Sequence, residues 1–343
     1  MDFHPTEEQA AAAGLAARIF SDLATHERLT AAGTGSDAEL WKDLTSAGLI
    51  AAVEEIGLLG LVLLLEEQGR STAQVPYAAT CAYGILPVAA HGSAEQRARL
   101  LPALGSGDAV ATGALPARGR ITAGGGRLTG TAPVVPWLRD ATHVLVPDAE
   151  RALWLVRTDA PGVRTSPVET TAPWSAGRLV LSGAAAERVG SDGAYEHTLA
   201  AARTAFAGLQ AGVCAGSLAR AVEYTSTREQ FGRPLSTNQG VMLRAADAYM
   251  DTEAIRVTAY EAAWRIDQGL PAREQVLTAA WWASEAGKRV VHTGQHLHGG
   301  TGADLDHPVH RHFLWGRQLD AYLGCGSELL AELGARIAEG GRA

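Results

Sequence analysis

The sequence predicts an α+β protein in three parts: an N-terminal helical domain over residues 1–105, a middle β-domain over 106–190, and a C-terminal four-helix bundle over 191–343. Three changes of texture predict it. The first hundred residues are rich in alanine and leucine, with apolar residues at helical spacing. Near Gly105, glycines and β-branched residues in short runs replace that pattern. From about Asp192 long helical stretches with short connections return, as a bundle requires.

Thr6, followed by Glu7 and Glu8, opens the first helix, where Leu15, Ile19 and Leu23 recur on one face. Asp37 opens another, with Leu40, Trp41 and Leu44 as its apolar side. The run from Ala51 to Gln68 is the most hydrophobic and is expected at the centre of its domain, with Gly69 as its stop. Val75, Pro76 and Tyr77 mark a turn, and two more helices follow, the second opened by Ser93 and Glu95. In the middle part, Arg120 to Pro133 reads as two strands about Gly124, Gly125 and Gly126. His143 to Asp148 and Leu153 to Thr158 make another hairpin, and GVRTSPV and GRLVLSG are further strands. The first bundle helix carries Ala207, Gly208, Ala211, Gly212, Ala215 and Gly216, small residues that permit close helix contact. Asn238 caps a second helix running through Trp264, Pro271 starts a third, and a fourth runs from about His310 to the end.

Bulk properties narrow the function. Hydrophobic residues at 47% and charged residues at 19% describe a globular chain long enough to bury a large core. A net charge of −8, with Lys42 and Lys288 as the only lysines, argues against nucleic acid as a partner. Cys81, Cys214 and Cys325 lie far apart in no C-x-x-C pair, which suggests neither a disulfide framework nor a zinc knuckle and fits a reducing cytoplasm. The acidic start MDFHPTEEQ is unlike a secretory signal. The longest apolar run, Ile56 to Leu65, is bracketed by glutamates and too short to span a bilayer.

Two stretches carry the chemistry. In YTSTREQFGRPLSTNQ, from Tyr224 to Gln239, a helix ends in Arg228 and Phe231 and turns through Gly232 and Pro234 into the next helix. Arg228 is thereby expected at a helix end, available to an anion. In HLHGGTG, from His296 to Gly302, glycines end a helix and allow a backbone or a phosphate to approach closely. Two such corners can grip the two ends of a dinucleotide.

R-x-Q-F-G-x-P-L-x-x-x-Q followed by H-G-G-x-G resembles the C-terminal bundle of the acyl-CoA dehydrogenases, flavoenzymes that bind FAD across a subunit interface. The likeness covers the whole chain. The ending LHGGTGADLDHPVHR, Leu297 to Arg311, is closest to the shorter actinobacterial-type members that form one half of a heteromeric pair. The resemblance implies FAD as cofactor and an acyl-CoA thioester, a steroid side chain by the nearest relatives, as substrate. It places Arg228, Phe231 and Gln239 at the pyrophosphate and adenosine end of FAD, and Gly299, Gly300 and Gly302 at its adenine side. His296 stands where the family usually has glutamine.

The resemblance also exposes gaps. The family takes the α-proton with a glutamate in an aromatic-Glu-Gly-Thr segment, which matches Tyr322, Leu323, Gly324 and Cys325 here. Its other base position, before an arginine in the first bundle helix, matches Ala202 before Arg203. Leucine and alanine accept no proton, so no catalytic residue is assigned; Asp320 or Glu328 would be the substitutes. The family's flavin loop is reduced to ALPARG, Ala114 to Gly119, and its W-x-T beside the flavin ring matches Val134, Val135 and Pro136.

The pattern implies a subunit that completes the FAD site of a catalytic homologue, as a hetero-oligomer or otherwise a homo-oligomer. A flavin monooxygenase on the same fold and a scaffold without FAD are the alternatives. His292, His296, His298, His307, His310 and His312 read as interface or cofactor-facing residues rather than metal ligands, and Trp264, Trp281 and Trp282 as core or subunit contacts.

Overall fold

The computed structural model describes residues 3–118 and 120–340. Gly119, the last residue of the ALPARG segment, lies outside them. The first part is helical: α1 (Glu7–Leu23), α2 (His26–Ala32), α3 (Ala38–Ser46), α4 (Val53–Ser71), α5 (Tyr77–Thr80), a wide turn over Cys81–Ile85, α6 (Leu86–His91) and α7 (Ala94–Gly105). Thr6 and Gln9 form a reciprocal capping box on α1, as Ser93 and Gln96 do on α7, and the Asp37 carboxylate accepts from Leu40 N to cap α3. The expected helix openers therefore act as caps.

Helix α4 is apolar on every side, and α1, α8 (Ala194–Thr227) and α9 (Gln239–Asp267) cover it. The expectation for Gly69 fails. The helix runs on to Ser71, and Thr72, at φ 51°, makes the left-handed exit. Gly69 instead allows contact, because a Cβ there would lie 2.2 Å from the Leu209 carbonyl oxygen. On the other side of the crossing, a Cβ at Gly212 would lie 2.0 Å from the Glu66 carbonyl and one at Gly216 2.3 Å from that of Arg70. The small residues of α8 are thus the seat of α4. By length and composition α8 is apolar enough to cross a bilayer, but it is mostly buried in the protein.

The middle part holds two four-stranded sheets. One has the order β1-β4-β5-β8, from β1 (Ala111–Gly113), β4 (His143–Pro147), β5 (Leu153–Arg157) and β8 (Glu187–Val189), with only β1 and β4 parallel. The other is antiparallel in the order β2-β3-β7-β6, from β2 (Ile121–Gly124), β3 (Arg127–Val135), β6 (Val163–Pro167) and β7 (Gly177–Ala185). Gly125 and Gly126, both at positive φ, make the predicted tight turn. Strands β1 and β8 were not legible, being three residues each.

The bundle consists of α8, α9, α10 (Arg273–His298), α11 (Val309–Leu319) and α12 (Gly326–Gly340). The single last helix that the periodicity suggests is broken after Leu319. Gly324 sits at φ 125°, which no helix accommodates, and the chain re-enters a helix at Gly326. Asn238 precedes α9 but does not cap its amides; its Oδ1 accepts from Arg233 Nη2 at 3.1 Å.

Candidate functional site

Arg228 is the residue at which α8 stops. Its N–H still donates to Tyr224 O at 2.8 Å while its own φ and ψ are extended. A hairpin follows, β9 (Glu229–Gln230) paired with β10 (Arg233–Pro234), and Leu235 N returns to Arg228 O at 2.9 Å. Phe231 and Gly232 form its two-residue turn at φ 54° and 77°. Gly232 is therefore the glycine of a hairpin turn and not, as the sequence suggested, the stop of α8. The turn aims Phe231 outward, 102% exposed. Arg228 is also exposed, with no ion-pair partner among the described residues, and Gln239 opens α9 on the same open surface.

The second corner begins where α10 ends at His298. Gly299, at φ 61°, turns the chain into a short helical loop over Gly299–Ala303. A Cβ at Gly299 or Gly300 would meet nothing within 4 Å, so both present bare backbone to whatever approaches. Gly302 differs. It is buried, and a Cβ there would fall 2.4 Å from the Gln295 carbonyl, whose side chain donates to Gly302 O at 3.2 Å. That glycine holds the loop shut. His296 is exposed and lines a groove between α9 and α10 together with Arg244, Asp247, Lys288 and His292.

Far apart in sequence, the two corners meet. Tyr224, one turn before Arg228, stacks on His298 with ring centroids 4.8 Å apart and planes at 25°. Beneath them α8 and α10 pack where a Cβ at Gly294 would lie 2.0 Å from Ser217 Oγ. Spacing alone did not reveal this contact, although a tyrosine four residues before Arg228 shares its helix face. Arg311, at the end of the same motif, turns away. It is buried, donates to Gln74 Oε1 and Leu29 O, and is pushed down to about 10 by desolvation, so it fastens α11 to the first helices.

Leu323 and Ala202 are the positions that the resemblance aligns with a base. Leu323 and Ala202 are buried, and the space beside Leu323, bounded by Arg203, Phe206, Leu319, Tyr322 and Leu329, is a residual cavity of about 20 Å³. Arg203 is held there by Glu332 of α12, at 3.1 and 2.9 Å. Neither substitute carboxylate lines this cavity: Asp320 pairs with Arg317 at 3.1 Å, and Glu328 accepts from Cys325 N at the start of α12.

An aromatic stack walls off the same region. Trp137 and Trp174 lie 4.3 Å apart, Trp174 abuts Trp315 and Tyr322, and Tyr322 shares a 2.9 Å hydroxyl contact with Tyr83. Trp137 is fully buried at φ 52°, a conformation a bulky residue adopts only when packing forces it.

An open cavity of about 560 Å³ between the β-domain and the bundle contains the reduced flavin loop, from Ala114 to Pro116, together with Pro133, Val134, Pro136 and Pro147. Four prolines in this wall remove the backbone N–H groups that would donate to flavin ring carbonyls. The wall thus offers a flavin ring few backbone donors, while Arg118, Thr131, Thr170, Thr171 and Gln318 carry side-chain donors. The two outer corners, with a free guanidinium and bare glycine backbone, do fit a diphosphate and adenosine.

The acyl-CoA dehydrogenase N-terminal domain model matches residues 6–108 and the acyl-CoA dehydrogenase C-terminal domain model matches 193–338. The acyl-CoA dehydrogenases FadE27 and FadE28 of Mycobacterium tuberculosis are 38% and 30% identical, over 99% and 98% of this chain and 99% of each of theirs. Among solved structures, the Tcur3481-Tcur3483 steroid ACAD superposes with a TM-score of 0.93 at 42% identity, over 98% of this chain and 99% of that one. The ChsE4-ChsE5 complex from Mycobacterium tuberculosis gives 0.93 at 35%, over 99% of both chains. On these matches and this architecture, the chain belongs to the acyl-CoA dehydrogenase family.

Proposed function

We propose that this chain is the non-catalytic subunit of a cytoplasmic, FAD-dependent acyl-CoA dehydrogenase, and that it completes the FAD site of a homologous subunit bearing the base. The observation that carries the reading is a contrast within one molecule. Leu323 and Ala202, which the resemblance aligns with the family's base positions, are buried and accept no proton, while Arg228, Gln239, Gly299 and Gly300 stand open on the outside of the bundle. FAD supplies oxidising power to the assembled enzyme. This chain's part is to neutralise the diphosphate with Arg228, to admit the adenosine over the glycine backbone, and to exclude water at the seam.

An exposed apolar face supports the same reading. Met242, Leu243, Tyr249, Met250 and Val257 form an exposed stripe along α9 at helical spacing. An apolar stripe of this extent marks a contact with another protein. The heteromeric neighbours named above support a related chain as that partner, and a bulky acyl-CoA such as a steroid side chain as the substrate of the pair.

The test is flavin content. Purified alone, the chain is expected to be colourless; co-expressed with a homologue carrying the glutamate, it is expected to yield a yellow complex that oxidises acyl-CoA. Colour in neither preparation would favour the scaffold, and a chain that binds FAD alone and consumes oxygen with reduced nicotinamide would favour the monooxygenase.

A further inference from the structure

We propose that Tyr224 is a positioning residue of the cofactor grip, acting with His298 and His307 to fix the distance between the arginine corner and the glycine corner. The inference rests on the shared FAD site described above. Both corners are exposed and weakly supported: Arg228 follows the last residue of a helix, the hairpin after it has two-residue strands, and no side chain stands within 4 Å of where a Cβ at Gly299 or Gly300 would be. A grip on two ends of one rigid ligand fails if its halves drift by an ångström.

The rings supply the link. Tyr224 lies face to face with His298 at 4.8 Å, and His298 in turn lies 5.0 Å from His307. The His298 ring is buried and oriented by Nδ1 donating to Gly294 O at 2.7 Å, one turn back on α10. His307 belongs to the loop that leaves the glycine corner, where its N–H donates to Asp304 O and its carbonyl accepts from His310 Nδ1 at 2.6 Å. The column therefore connects the end of α8, the end of α10 and the start of α11. His298 is buried and Tyr224 and His307 are half-buried; the effect of the three rings reaches the cofactor through Arg228 and Gly299.

The experiment is a double-mutant cycle in the assembled heteromer, reading the FAD dissociation constant and, separately, complex assembly by gel filtration. Tyr224→Leu is expected to weaken FAD binding about 3- to 10-fold, the measured range for one stacked pair, with assembly intact. Tyr224→Phe should keep the wild-type value. In an Arg228→Ala background, Tyr224→Leu should cost little more, because its effect passes through the arginine.

Full additivity of the two changes, or a loss of assembly in parallel with the loss of FAD for both Tyr224→Leu and Tyr224→Phe, would overturn the positioning role. So would an unchanged constant for Tyr224→Leu alongside a weakened one for Arg228→Ala, which leaves the shared-site reading standing. If Arg228→Ala itself leaves the constant unchanged, the shared site is wrong.

Discussion

The resemblance aligns Leu323 with the family's general base, and its surroundings decide whether a carboxylate placed there would find a working site. With the space around it near 20 Å³ and Arg203 tied to Glu332, restoring a carboxylate restores no site. Leu323→Glu is therefore expected to add no second dehydrogenase centre to the heteromer: the rate per FAD stays at the wild-type value. The buried carboxylate should also lower this subunit's stability by roughly 2–4 kcal/mol through unpaired burial, seen as a lower midpoint in urea. Turnover gained in proportion to Leu323→Glu subunits would mean that the filled cavity opens in solution. The motif aligned Leu323 with a base position, but the packing around it was not legible, because Phe206, Leu319 and Leu329 come from three helices.

Helix contact in this protein rests on glycine at particular depths. The α4 and α8 backbones approach so closely that Gly212→Ala places a methyl 2.0 Å from the Glu66 carbonyl. Backbone cannot yield as a side-chain tip can, so the helices must separate. A loss of about 1–3 kcal/mol is expected, against a gain of roughly 0.5–1 kcal/mol for Gly14→Ala, exposed within α1, where a Cβ meets nothing and alanine is the better helix former. Thermal melts of the two variants compare them directly. The small residues on α8 were readable as a contact face, but their partner was not. Gly69, taken as a stop, turned out to be half of the crossing, because a glycine in a sequence announces permission without saying whether a turn or a neighbour uses it.

Assembly and pH act on the whole subunit. Met250 is exposed in the apolar stripe of α9, so Met250→Asp should leave the isolated chain's melting temperature within about 2 °C, as surface changes do, yet abolish co-purification with the partner. Retained co-purification would place the partner elsewhere. His312 sets a pH limit. It is buried, donates Nε2 to Arg70 O at 2.9 Å, and is held down at about 4 by desolvation.

The folded value lies below the unfolded one, about 6.5. Between the two, the unfolded chain binds a proton that the folded chain refuses, so stability falls as pH drops from 6.5 toward 4. The accumulated loss is roughly 3 kcal/mol at pH 4. His312→Gln keeps a donor at a similar reach without the titration and is expected to flatten that slope in urea melts taken across the window.

Local rules reached far into this chain. Caps at Thr6, Asp37 and Ser93, the Gly125–Gly126 turn and the three-part order follow from short-range sterics and hydrogen bonding, which each segment carries within itself. Motif spacing likewise named Arg228 and the glycines at 299, 300 and 302. Which of those face outward was settled only by packing, since Gly302 is closed against Gln295 while Gly299 and Gly300 are open. The Tyr224–His298 link, the small cavity beside Leu323 and the stack of Trp137 on Trp174 join residues up to about a hundred and twenty positions apart. Such contacts depend on how whole helices and sheets settle against each other, and no window of neighbouring residues contains that information.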